Sequence, residues 1–356
     1  MTIEQLGWDE NRETMFTKYR EQGMLPGRVI RESRGFYDTN PGGETVTARV
    51  SGHFHYTAAG RADYPAVGDW VALRLADDAA VIEKVLPRKS LFSRRSPGSE
   101  AEEQAVAANI DLLCVVAGLD GGRNFNLRGI ERYMVLAAES GAGAALVLNK
   151  ADLCADREGT LLSAGTVAGR APVFMVSALS GEGLDELAVL FTPGLTVAFT
   201  GPSGVGKSAL VNALMKEDVQ ATGPSREDDK RGRHTTTRRE LFFLPGGAMV
   251  IDTPGLRELG LWGDGDGLDD AFADIAEAAG DCRFRDCTHQ EEPGCAVRRL
   301  LIEGALDHDR YQNYLDMRRE LAFLESRVNE KERQNRKARE KELSKMVRDF
   351  NKNFRK

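Results

Sequence analysis

The chain has 356 residues, 41% hydrophobic and 29% charged, with a formal net charge of −7. That composition is globular, its length suits two or three domains, and no apolar run approaches the roughly 18 residues that span a bilayer. An acidic balance also excludes a uniformly basic nucleic-acid binder, although the last thirty residues carry twelve Lys/Arg against five Asp/Glu, so that the tail is +7 and the remainder −14.

The opening residues, MTIEQLGWDENRE, mix acids and amides without an apolar core, so no secretory signal is expected and a cytoplasmic address is. Residues 1–24 are expected to form a short helical leader. Over 25–95 come brief alternating or β-branched runs (RVIRES, ETVTARV, DWVALRL, AVIEKVL), separated by Pro41-Gly42-Gly43, Val67-Gly68-Asp69 and Asp77-Asp78, which have turn chemistry. This predicts a small all-β barrel of five strands. Such barrels often carry oligonucleotides on one face, and Phe54, His55, Tyr56, Arg61 and Lys89 are candidates for that face. A barrel that only docks on its neighbour fits the same pattern.

The polar stretch RRSPGSEAEEQ, 94–104, is expected to be a linker. Beyond it, IDLLCVV, AALVLN, VFMVS, TVAFT and AMVID are short continuous apolar runs spaced by helix-length segments. Strands buried on both faces of a parallel sheet look like this, so 96–265 is expected to be a doubly wound α/β domain. From 266 to 356 a mainly helical region is expected. Tyr311, Tyr314, Met317, Leu321, Leu324 and Val328 recur at three- and four-residue steps, and after 328 charge replaces the apolar face.

Gly201, Pro202, Ser203, Gly204, Val205, Gly206, Lys207 and Ser208, followed by Ala209, fit a phosphate-binding loop placed between an apolar strand and a helical stretch. The glycines let backbone N–H groups turn in around a phosphate at a helix N-terminus, Lys207 bridges the β- and γ-phosphates, and the Ser208 hydroxyl ligates Mg²⁺. The base is chosen elsewhere. Asn149, Lys150, Ala151 and Asp152 end another strand, and the Asp152 carboxylate can accept two hydrogen bonds from guanine, for which adenine has no matching donors. Asn149 would meet the base edge or brace the phosphate loop, and the Lys150 stem would lie on the ring. Ser177, Ala178 and Leu179 follow the next strand, where the Ala178 N–H suits guanine O6.

Asp252-Thr253-Pro254-Gly255 closes the strand AMVID, where an Mg²⁺-directing Asp and a γ-phosphate-sensing Gly N–H belong. Between it and the phosphate loop lies Gly232-Arg233-His234-Thr235-Thr236-Thr237; any of the three threonines suits Mg²⁺, and Thr236 is singled out. The base motif precedes the phosphate loop, opposite to the usual order. Read as a ring the elements keep that order, so a circular permutation is expected, which is tolerable where domain ends lie close together. Leu256 stands where Ras-like enzymes carry a water-orienting Gln, and an apolar side chain cannot hold water. His234 is the candidate to orient it, with Lys207 and Thr236 completing the catalytic set.

Cys282, Cys287, His289 and Cys295 bring three thiolates and an imidazole within fourteen residues, a full tetrahedral set for structural Zn²⁺. With barrel, NKAD, SAL, GPSGVGKS, GRHTTT, DTPG and the Cys/His cluster in this order, nearly the whole chain resembles one family, the circularly permuted GTPases known as RsgA or YjeQ. The resemblance implies an N-terminal OB fold, a permuted G domain and a C-terminal zinc domain. It also implies GTP hydrolysis to GDP, accelerated by the small ribosomal subunit during its late maturation, with contacts to ribosomal RNA and no membrane. A monomer is expected. The alternative is a GTP-switched RNA-binding scaffold in which hydrolysis is incidental.

Overall fold

The computed structural model describes residues 1–33, 35–76, 79–95, 103–122, 124–216, 239–252 and 265–326. Helix α1, Glu10–Arg20, starts where the Asp9 carboxylate accepts the Arg12 N–H, and it buries Phe16. Trp8 lies edge-on to both Phe16 and Trp70, which fixes the leader on the barrel.

The barrel strands are β1 Leu25–Ser33, β2 Phe36–Asn40, β3 Val46–Val50, β4 Trp70–Ala76 and β5 Ala79–Val85, paired in the closed circuit β1-β2-β3-β5-β4-β1 with only β3 and β5 parallel. Val29, Tyr37, Ala48, Val71, Leu73 and Ile82 fill it. Helix α2, Gly52–Thr57, N-capped by Ser51, connects β3 to β4. It corrects one expectation: Phe54 is buried edge-on to Tyr64 and His55 meets the Tyr64 hydroxyl at 2.9 Å, while Tyr56 is exposed. Lys89 also faces elsewhere, with Nζ 2.6 Å from the Asp111 carboxylate of the next domain.

The stretch read as a linker begins and ends in paired strands, since β6 Leu91–Arg95 and β7 Glu103–Ala108 form an antiparallel hairpin with Arg95 opposite Glu103. The α/β domain follows with β8 Leu112–Gly118, α3 Leu127–Glu139, β9 Gly143–Asn149, α4 Arg157–Ala168, β10 Val173–Met175, α5 Leu184–Ala188, β11 Thr196–Thr200, α6 Lys207–Met215, β12 Arg239–Phe243 and β13 Met249–Asp252. Its strand order is β10-β9-β8-β11-β13-β12, all parallel except β12. The five apolar runs thus supply the five parallel strands, and the phosphate-loop strand β11 sits between β8 and β13.

Two junctions hold the units together. At the first, β12 pairs with β1, making one sheet of eleven strands through the barrel. Gly68, at φ +90°, lies so close to the hairpin that a Cβ there would sit 2.1 Å from the Ala108 carbonyl oxygen. Beside it the buried Arg28 guanidinium, stacked over Trp70, donates to the Leu6 carbonyl at 2.7 Å and to the Thr196 hydroxyl at 2.8 Å.

At the second, α7 Asp266–Ala271 and α10, 308–326, pack on α3, and α8 Ala273–Gly280 and α9 Ala296–Ile302 join them in one apolar cluster. Tyr311, Tyr314, Met317, Leu321 and Leu324 line the inner face of α10 as the spacing predicts; Val328 lies outside the described residues. Arg310 donates to Glu131 of α3 at 2.8 Å and to Asp274 at 2.7 Å, and Asn313 reaches the other Glu131 oxygen at 2.6 Å. Arg128 donates to the same Glu131 at 2.5 Å, and because Glu131 is 1% exposed its charge depends on these three partners.

Candidate functional site

The loops that follow β8, β9, β10 and β11 gather at the carboxyl edge of the sheet, where open α/β sheets bind ligands. The phosphate loop leaves β11, all five residues of which are buried, and turns into α6 through residues that demand glycine. Gly201 has φ +136° and a Cβ there would lie 2.2 Å from the Val116 carbonyl oxygen; Gly206 has φ +91° and a Cβ would lie 2.4 Å from Asn149 Nδ2. Lys207 Nζ donates to the carbonyl oxygens of Gly201 at 2.7 Å and Pro202 at 2.6 Å, so its cation stands over the loop. Ser208 lies in the first turn of α6, with Ala209 after it. Pro202, Ser203 and Gly204 are exposed, while Val205 is buried.

Asn149 ties three loops together. It is 2% exposed; its Nδ2 donates to the Val205 carbonyl at 2.8 Å and its Oδ1 accepts the Ala178 N–H at 3.0 Å. Of the two roles open to Asn149, this geometry is bracing. The Ala178 N–H, expected to face a base, is engaged by Asn149 instead. Asp152 Oδ1 accepts from the Ser177 hydroxyl at 2.6 Å, which leaves Oδ2 without a hydrogen bond among the described residues. Ala151 is buried, with its N–H on the Val176 carbonyl, and Leu179 is 89% exposed. Lys150, at φ +67°, pairs through Nζ with Asp120, whose carboxyl this hydrogen bond holds below its usual range.

Asp120 went unnoticed in the sequence. The signal was its position two residues beyond β8, the strand lying between β9 and β11. Asp252 ends β13, its backbone registered with Glu240. His234, Thr236 and Gly255 lie outside the described residues.

The second constellation is the cysteine cluster. The ligand atoms of Cys282, Cys287, His289 and Cys295 all lie within 4.8 Å of one another. Cys282 and Cys295 sulfurs are 3.8 Å apart, and His289 Nδ1 lies 3.6 and 3.5 Å from them. A tetrahedron built on bonds of about 2.3 Å to sulfur and 2.0–2.1 Å to nitrogen has edges of about 3.5–3.8 Å, so the donor set fits Zn²⁺. Burial raises the Cys282 thiol, but N–H groups from Ala296 and Val297 at the start of α9 more than offset it and bring the thiol below its ordinary value. Desolvation lowers His289, favouring the neutral imidazole that a metal takes, and the Tyr311 hydroxyl donates to its backbone carbonyl at 2.9 Å. Glu292, also missed in the sequence, clamps the loop by accepting from the Thr288 hydroxyl and from the N–H groups of Thr288, Gln290 and Glu291.

No helix of the described residues is long and apolar enough to cross a membrane. Residues 85–262 match the RsgA GTPase family model. A protein of Opitutus terrae named small ribosomal subunit biogenesis GTPase RsgA is 45% identical over 339 residues, covering 92% of each chain. Among solved structures, YjeQ from Thermotoga maritima is similar at 27% identity with a TM-score of 0.63, covering 84% of this chain and 99% of that one. YloQ, titled a circularly permuted GTPase, shares the fold at 22% identity and a TM-score of 0.58, over 85% of this chain and 96% of its own.

Proposed function

The chain belongs to the RsgA GTPase family, and on that premise we propose that it hydrolyses GTP on the small ribosomal subunit, late in the maturation of that particle. The observation that carries the reading is Asn149, one buried amide hydrogen-bonded to both the phosphate loop and the Ser177–Leu179 loop. That bond pair supports a single bowl in which base and phosphates are held at once. The free Asp152 oxygen is left to select guanine, Lys207 to pair the β- and γ-phosphates, and Gly201–Ala209 to supply N–H donors at the mouth of α6.

Mg²⁺ bound with the nucleotide would be held by Ser208 and Thr236, with Asp252 directing it and the Gly255 N–H reading the γ-phosphate; it supplies charge neutralisation. His234 orients water in place of the Gln that Leu256 displaces. Zinc at Cys282, Cys287, His289 and Cys295 is structural. The proposed organisation is a 1–24 leader, a 25–95 OB domain, a 96–265 GTPase domain and a 266–356 zinc domain. The protein works as a cytoplasmic monomer in contact with ribosomal RNA.

Turnover measured with purified small and large subunits, under competition by guanine and adenine nucleotides, tests this. Stimulation by the small subunit alone and competition by guanine alone are expected; equal competition by adenine nucleotides would defeat it. Leu256 favours a second reading, a GTP-switched RNA scaffold, for which single-turnover hydrolysis would stay unchanged when small subunits are added.

A further inference from the structure

Strand β12 begins at Arg239, two residues after Thr237, so the chain passes from the GRHTTT segment into β12 almost at once. The outer edge of β12 is held by the barrel. Among the described residues two pairs, Arg31 with Glu240 and Glu32 with Arg239, make that seam, and one bears an ion pair between Arg31 and Glu240. The same guanidinium lies 3.4 Å from Asp38 of β2, whose other oxygen accepts from the Thr47 hydroxyl of β3 at 2.8 Å. A polar chain thus runs across three barrel strands to the strand that follows the GRHTTT segment. Backbone pairing alone does not choose the side chains that face each other, and the ion pair supplies the cross-strand specificity.

We propose that Arg31 and Glu240 are positioning residues, through which a partner bound on the barrel sets the strand that leads out of the catalytic segment. This rests on the GTPase reading of that segment. When the particle loads the barrel, displacement of β1 passes to β12 through this seam; without the seam the barrel still binds, but the nucleotide site no longer registers it.

The test is a double-mutant cycle of Arg31→Ala and Glu240→Ala in the full chain, with GTP turnover measured alone and with purified small subunits. Each single variant is expected to lose about tenfold in stimulated kcat, within the usual range for coupling between sites. The double variant should lose no more than either single one. Unstimulated turnover, GTP affinity and particle affinity should match the parent.

Residues 31 and 240 face each other across antiparallel strands, within reach of a disulfide. R31C/E240C should therefore recover stimulation when oxidised and lose it on reduction, with zinc content unchanged. Additive losses, losses equal with and without particles, or oxidised and reduced forms of equal stimulated kcat would each overturn the proposal. A parent protein that fails to hydrolyse GTP on particles would instead remove the function on which it rests.

Discussion

The α/β domain is gripped from two sides by opposite means. Toward the barrel the contact is mostly backbone: a strand seam, a glycine against a carbonyl, and one buried guanidinium whose donors reach Leu6 and Thr196. Toward the C-terminal helices it is side-chain charge, with Glu131 sunk between α3 and α10 and answered by Arg310 and Asn313. Close-packed backbone has no slack, so it fails on added volume. A desolvated ion cluster tolerates volume but not the loss of one member.

The largest expected effect lies beyond the charged side. Zinc contributes on the order of 10 kcal/mol to small units of this kind, so chelation should unfold the C-terminal helices while the barrel persists. Hydrogen exchange would locate the loss; protection fading equally in the barrel would erase the contrast between the two sides. Next comes Glu131→Ala, which leaves Arg310 held by Asp274 alone and takes from Arg128 its buried partner; it should cost about 2–3 kcal/mol, measured by chemical denaturation. A cost near zero would mean that this cluster is not desolvated.

On the backbone side, Gly68→Ala adds a methyl against the Ala108 carbonyl at a positive φ and should cost about 1–3 kcal/mol or more, whereas Gly23→Ala, with open space around it, bears only the φ penalty. Equal thermal shifts for the two would deny the tight approach. The smallest effect is expected for Arg132→Ala. Its bidentate pair with Glu320 is part-exposed and worth about 0–1 kcal/mol.

Glu292 separates clamp from ligand. Its carboxyl is pulled down to about 2, first by the Thr288 hydroxyl and then by backbone N–H groups. With the folded value below the unfolded one, its contribution is complete above about pH 4.5 and fades only as pH falls toward 2. Zinc release on acidification above pH 4.5 should therefore follow the thiolates and His289. Glu292→Gln is expected to weaken zinc about tenfold at pH 7, raising the acid midpoint by the roughly 0.3 pH unit that this loss spread over about three protons brings and leaving the steepness of release unchanged. A changed steepness would assign the clamp a titrating role.

The parallel strands, the glycine-rich turn into α6, the convergence of the Asn149–Asp152 stretch on it and the Cys/His cluster were legible because each is local: a continuous apolar run, a glycine spacing, a group of soft ligands. Strand β2 was missed because FYDTN is polar at three of five positions and pairs on both sides inside a barrel closed by distant strands. Strand β12 was missed because RELFF is short and its outer partner lies two hundred residues earlier. Phe54 was misjudged as a surface ring because Phe54, His55 and Tyr56 were taken together, whereas a helix turns Phe54 inward and leaves Tyr56 outside. Buried charges such as Arg28 and Glu131 cannot be told from surface ones until their partners, far away in the chain, are known.

The strand order also sets a sequence of events during synthesis. Chains emerge amino end first, so β8, β9 and β10, with the loops that follow them, leave the tunnel before β11 and the loop after it emerge. Until β11 arrives, β8 presents an unpaired apolar edge, the sort of surface on which nascent chains aggregate or recruit chaperones. Nucleotide capture is thus a late event in the birth of this protein, and a ribosome stalled before residue 200 would display a half-built sheet with no anion grip.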